Sequence, residues 1–232
     1  MKHPILACTL AACCGMAAAE CPPYVKRTPG GDYTSAEDRD GLSVIEKFHF
    51  SRAVETLTQG MTGSLGADIS YTLEHFPNHH RALASMAKLG LRLKSAQPVG
   101  ARYTVSCYFE RAIAFAPQDV TARMVFGNYL LATGQDAMAL EQLDAASRLA
   151  PEQATIQYNL GLMYVKKKEY EKASAHAQKA YALGFPLPGL KNKLKAAGKW
   201  REPPQAPAVV EAKEARKTEE PAVPPVEEPS GE

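Results

Sequence analysis

None of the short signatures that mark catalysis occurs in this chain: there is no GxSxG elbow, HExxH pair, CxxC, phosphate loop or dinucleotide fingerprint. An enzyme is therefore not expected, and neither is a cofactor. Beyond residue 19 there is also no apolar run approaching the roughly 18 residues that a bilayer-crossing helix needs. The expected product is soluble or lipid-tethered. Charge of one sign is scarce overall, with a formal net charge of +2, so nucleic-acid binding is not expected. Cysteine is scarce too. Of five in 232 residues, Cys8, Cys13 and Cys14 fall within the first 19, which leaves Cys21 and Cys107.

The first 19 residues have their own pattern. Lys2 and His3 precede an apolar run from Ile5 to Met16, and Ala17-Ala18-Ala19 follows before Glu20. That order of charge, hydrophobe and small residues predicts a secretory signal peptide over 1–19, cleaved after Ala19. A second reading is a lipoprotein signal, because Leu10-Ala11-Ala12-Cys13 has an apolar residue and two small ones before Cys; membrane attachment is expected only if Cys13 is lipidated. Either route delivers the chain to a periplasmic or secreted location, or anchors it by lipid to a membrane. In an oxidising compartment Cys21 and Cys107 either pair or remain free thiols. If a helix runs from Tyr103, Cys107 shares a face with Tyr103, Arg111 and Ala114, opposite Phe109 and Ala112, within reach of an N-terminal strap.

What the chain does have is a repeat. Phe126-Gly127 matches Leu160-Gly161, Ala139 matches Ala173, Ala146 matches Ala180 and Pro117 matches Pro151, all at an offset of 34 residues. A small residue recurs where two helices must touch, and a proline where one must stop. With Tyr158-Asn159-Leu160-Gly161-Leu162-Met163-Tyr164 followed by Ala173, Ala177 and Ala180, the stretch 119–185 resembles the tetratricopeptide repeat family. The resemblance implies an all-α fold, a superhelix of antiparallel helix pairs with a C-terminal capping helix; composition adds an irregular N-terminal strap and a disordered C-terminal tail.

In chain order, residues 20–50 are rich in turn formers, among them Cys21-Pro22-Pro23 and Thr28-Pro29-Gly30-Gly31, and are expected to form the strap. The repeat domain is expected over 51–200. Degenerate units lie near 51–77 and 79–117, the latter with about six residues inserted in its loop; regular repeats follow near 120–153 and 154–187, then a capping helix over 188–198. In the first unit, Ser51 offers a cap to a short helix ending by Gly60. Gly60, Gly63 and Gly66 suggest a flexible connection, and Asp68 caps a second helix that Pro77 stops. No Lys-Ser/Thr pair accompanies those glycines, which argues against a phosphate cradle. From Lys166 to Lys199 the chain holds nine Lys against two Glu, whereas from Arg201 on it holds four basic and eight acidic residues. That last stretch, 201–232, is dominated by Pro, Glu, Ala and Val and is expected to be disordered.

Two sites suggest themselves. His75, His79 and His80 fall within six residues, and imidazoles so placed can ligate a transition metal, but Pro77 breaks their register and no neighbouring Cys, Asp or Glu completes a set. The simpler reading is that they cap one helix and open the next. The second site comes from the resemblance, since in that family the first helix of each pair lines a concave groove. It implies Asn128, Asn159 and Lys193 as polar anchors and Met124, Leu131, Tyr158, Leu162 and Val165 as an apolar wall. Met124 and Gly189 stand where a carboxylate-clamping subset of the family has basic residues, so an extended peptide or partner helix is implied rather than a full clamp. The function expected is a non-enzymatic interaction scaffold of the bacterial envelope with a protein or peptide partner. The alternative is a periplasmic metal- or small-molecule-binding protein acting through His75, His79 and His80.

Overall fold

A computed structural model describes residues 21–202. The expected signal peptide, Cys13 and the tail from residue 203 lie outside the described residues. Contacts divide the chain into a unit through Arg201 and a second beginning at Glu202, of which only Glu202 is described. Among the described residues the structure is all-helical, with ten helices and no strand: α1 Leu42–His49, α2 Arg52–Glu55, α3 Leu65–His75, α4 His80–Leu93, α5 Val105–Phe115, α6 Val120–Ala132, α7 Asp136–Leu149, α8 Ala154–Lys166, α9 Tyr170–Ala182 and α10 Gly189–Ala196.

Local chemistry sets most of these boundaries. The side chains of Ser64, His79, Thr104 and Asp119 each accept a hydrogen bond from the N–H three residues on, satisfying a donor left open at the start of α3, α4, α5 and α6. α3, α5 and α7 end just ahead of Pro77, Pro117 and Pro151, because the residue before a proline is pushed out of helical backbone. Gly134 turns α6 into α7 with φ at 79°; 34 residues later Lys168 turns α8 into α9 at 61°, in the left-handed region that favours glycine.

Two apolar clusters form the core. One gathers Phe50, Ile69, Leu83, Met86, Phe109, Phe126 and Leu130 from the N-terminal helices and reaches Met163. The other gathers Leu143, Ile156, Leu160, Ala173, Ala177, Leu190 and Leu194. The recurring glycines lie at close approaches between helices. A Cβ on Gly127 would lie 2.7 Å from Leu143 Cγ of α7, and one on Gly161 would lie 2.3 Å from Leu190 Cδ2 of α10. α10 closes this end by burying Leu190 and Leu194 while Lys193 and Lys195 face outward, and each leucine removed from water contributes roughly 1.5–3 kcal/mol. α4, α6, α8 and α10 form a row in which each touches the next, with α5, α7 and α9 packed beside them.

The N-terminal part departs from expectation in three places. Residues 21–41 contain no helix, but the expected strap over 20–50 gives way at Leu42 to α1. α1 has only eight residues, lacks a side-chain cap, buries Ile45 and leaves Val44 and Phe48 exposed. Second, Ser64 rather than Asp68 caps α3. Third, the glycine-rich connection is pinned rather than loose. Asp68 is fully buried and accepts from the N–H of Met61 at 2.7 Å, the N–H of Thr62 at 3.2 Å and Thr62 Oγ1 at 2.5 Å. Burial opposes ionisation of Asp68, but these bonds and the imidazole of His49 outweigh it and hold its pKa below the ordinary value.

Candidate functional site

The strap is fastened to the helices by covalent and polar contacts. Cys21 and Cys107 are joined as a disulfide with Cα atoms 5.4 Å apart. On the same face of α5, the Arg111 guanidinium lies over the Tyr103 ring at 4.5 Å and donates to the Pro22 carbonyl at 3.4 Å. Further along, Tyr24 Oη and Gly31 N–H both donate to the carbonyl of His75, at 3.0 and 3.1 Å. The buried Asn78 accepts from Tyr33 N–H at 2.9 Å and donates to Asp32 at 2.7 Å and Asp119 at 3.1 Å. Glu74 is paired with Arg27 from the strap and with Arg102.

The three histidines belong to this fastening, and each meets a different partner. His75 Nδ1 donates to the Pro29 carbonyl at 2.5 Å. His79 is fully buried; its Nδ1 accepts from Ala82 N–H at 3.1 Å, which leaves Nε2–H to donate to Glu46 at 2.9 Å. Burial lowers the His79 pKa against the opposing pull of Glu46, so the ring is held neutral. His80 Nε2 donates to Asp119, whose pKa is raised by burial but lowered further by His80, the Ala122 N–H and Asn78, for a net depression. Carboxylates do meet the imidazoles, then, from 33 and 39 residues away, but one to each ring. Among the described residues no group of three His, Cys, Asp or Glu side chains is gathered as a metal ion would require. The rings cap α4 and tie the strap down.

The groove residues occupy α6, α8 and α10. Met124, Asn128 and Leu131 follow a spacing of four and three residues and so share one face of α6. Asn128 is exposed, whereas Met124 and Leu131 are half-buried. On α8, Tyr158, Asn159, Leu162 and Val165 are half-buried, and Lys193 of α10 is exposed. Met124, Tyr158, Leu162 and Val165 pack on the edge of the second apolar cluster, and Leu131 on the first. α8 touches both α6 and α10, so the three helices that carry these residues are neighbours. The side chains of Asn128, Asn159 and Lys193 have no hydrogen-bond or ionic partner among the described residues. By contrast Lys166, Lys167 and Lys172 nearby are paired with Asp136 and Glu169.

Tyr158 has a contact that spacing does not reveal. Its ring stacks on Phe185 with centroids 4.0 Å apart, and a Cβ at Gly189 would come within 2.7 Å of its hydroxyl. Gly189 therefore makes room for the Tyr158 hydroxyl. The signal for this lay in Phe185 and Gly189 flanking Pro186-Leu187-Pro188, a segment that carries no helical period. Comparison with protein-family models and with curated proteins finds no match for this chain.

Proposed function

We propose that this chain is an exported, non-enzymatic scaffold of tetratricopeptide type that holds an extended peptide or partner helix against the α6–α8–α10 face. One observation carries the reading. Asn128, Asn159 and Lys193 present polar groups with no partner among the described residues, on a face where Met124, Leu131, Leu162 and Val165 remain partly uncovered. Asn side chains both donate to and accept from a peptide backbone, so such a face suits an extended ligand of varied sequence. The superhelix of antiparallel pairs is supported by the 34-residue spacing and by the row of α4, α6, α8 and α10 in successive contact. Export, to a periplasmic or secreted location, is supported by the Cys21–Cys107 bond, since disulfides persist in oxidising compartments.

A displayed library of random peptides, selected against residues 20–232, tests the proposal. Selected peptides should lose at least about tenfold in affinity when Asn159→Ala and Lys193→Ala are combined, while the melting temperature stays unchanged. Full affinity retained by the folded double variant would remove this face from consideration.

A further inference from the structure

A separate cleft lies between the C-terminal ends of α4 and α6. It has a volume of about 490 Å³ and is lined by Gly90, Leu91, Lys94, Tyr129, Ala132 and neighbouring turn residues. Volumes of this order hold small organic ligands. One wall is built by the loop that follows α4, the loop that carries the insertion relative to the regular repeats.

The polar groups of the cleft divide into those already used and those left over. Ser95 Oγ donates to the Gln97 carbonyl at 2.8 Å and accepts from Gln97 N–H at 3.2 Å. Thr133 Oγ1 donates to the Tyr129 carbonyl at 3.0 Å and accepts from Gln135 Nε2 at 2.9 Å. Two donors remain. Tyr129 is largely buried, with its ring near Phe109 and over Gly90, and its hydroxyl, which reaches solvent, has no hydrogen-bond partner among the described residues. Lys94, in left-handed backbone at the end of α4, has no ionic partner among them either. No Asp or Glu lines the cleft, and Leu91 is partly exposed at its side. Burial raises the Tyr129 pKa, so the hydroxyl keeps its proton and remains a donor through neutral pH.

From these groups we infer that the α4–α6 cleft binds a small amphipathic carboxylate, its oxygens taking the Tyr129 hydroxyl and the Lys94 ammonium and its apolar body lying along Leu91, Gly90 and Ala132. Two unpartnered donors with no carboxylate beside them suit an anionic acceptor, and the apolar floor suits a hydrocarbon part. A hydrogen bond to a charged acceptor is the strong kind. This site is distinct from the face formed by α6, α8 and α10 and does not depend on it.

Two-dimensional amide NMR of residues 20–232 titrated with octanoate and with 4-phenylbutyrate tests the inference. Saturable shifts are expected at Leu91, Tyr129 and Ala132, with octanamide binding at least about tenfold more weakly than octanoate. Tyr129→Phe should weaken octanoate about tenfold at unchanged melting temperature, because its hydroxyl makes no bond within the protein, and Lys94→Gln about two- to fivefold. Should Tyr129→Phe fold poorly, Ala132→Glu, at an exposed helical position, should abolish binding by placing a carboxylate in the cleft. A short peptide ending in Leu, with its end free or amidated, tells whether a chain end can supply the same carboxylate; competition by the free form alone agrees with the inference. Absence of saturable shifts at these three amides, or equal binding of octanoate and octanamide, would overturn it.

Discussion

The two halves of the helical unit are held together by different means. Through Asp119 the interior is laced with polar side chains, among them Asp68, Glu74, Asn78, His79 and Arg111, and a disulfide crosses it. Beyond Asp119, Gln157 and Ser174 are the only buried polar side chains among the described residues, and packing rests on Ala, Leu and Gly at repeat positions. The regular half gains its stability from contacts between neighbours in the stack. The irregular half depends on a strap and on bonds between residues tens of positions apart. The polar half should therefore respond sharply to single changes, and the apolar half gradually.

The largest effect expected is that of removing the disulfide. With its cysteines 86 positions apart, the bond restricts the unfolded chain enough that Cys21→Ser with Cys107→Ser should cost about 2–5 kcal/mol by chemical denaturation. Hydrogen exchange should quicken in the strap and α1–α3 while α8 and α9 stay protected. Uniform quickening across both halves would break the comparison.

Asp68→Ala comes next. It leaves the N–H groups of Met61 and Thr62 without their acceptor in a buried place, and the expected loss is about 2–4 kcal/mol. Because the folded state lowers the Asp68 pKa, the wild-type contribution is complete above the ordinary carboxylate range and is lost as pH falls through the lowered value. A variant as stable as the wild type at pH 7 in urea would show that the glycine-rich connection does not rely on this carboxylate.

A smaller effect cuts across the comparison. Burial lowers the pKa of His79 in the polar half and of His176 in the apolar half, so both rings are neutral when folded and take up a proton on unfolding below about pH 6.5. Stability should decline between pH 7.5 and 5.5, and His79→Gln and His176→Gln should each make that decline shallower. A decline that neither substitution alters would remove both rings from the account.

The smallest effect lies in the regular half. Lys168 holds the left-handed turn that Gly134 holds one repeat earlier, so Lys168→Gly should raise stability by up to about 1 kcal/mol. A loss on this substitution would show that the lysine side chain contributes more than its backbone costs.

The same contrast decides how much could be read in advance. The 34-residue spacing predicts helices near 119–133 and 170–183, and the structure has Val120–Ala132 and Tyr170–Ala182, because there the recurring Gly, Ala and Pro positions act within one or two turns. What sequence windows could not show is the polar lacing. Asn78 finds Asp32 from 46 residues away and His80 finds Asp119 from 39, and no local pattern records such pairs. α1 escaped because it has only eight residues and no capping side chain marks its start. Within the candidate site, the stacking of Tyr158 on Phe185 escaped because Phe185 lies in a segment without period.

The central claim is that the face of α6, α8 and α10 carries binding. Amide and side-chain NMR of residues 20–232, titrated with a peptide selected from the random library, tests it most directly. The account predicts that the largest shifts fall on the side-chain amides of Asn128 and Asn159 and on the backbone of Leu162, Val165 and Lys193, with the strap unmoved. Largest shifts on the strap, or on α7 and α9 with those two amides still, would contradict it.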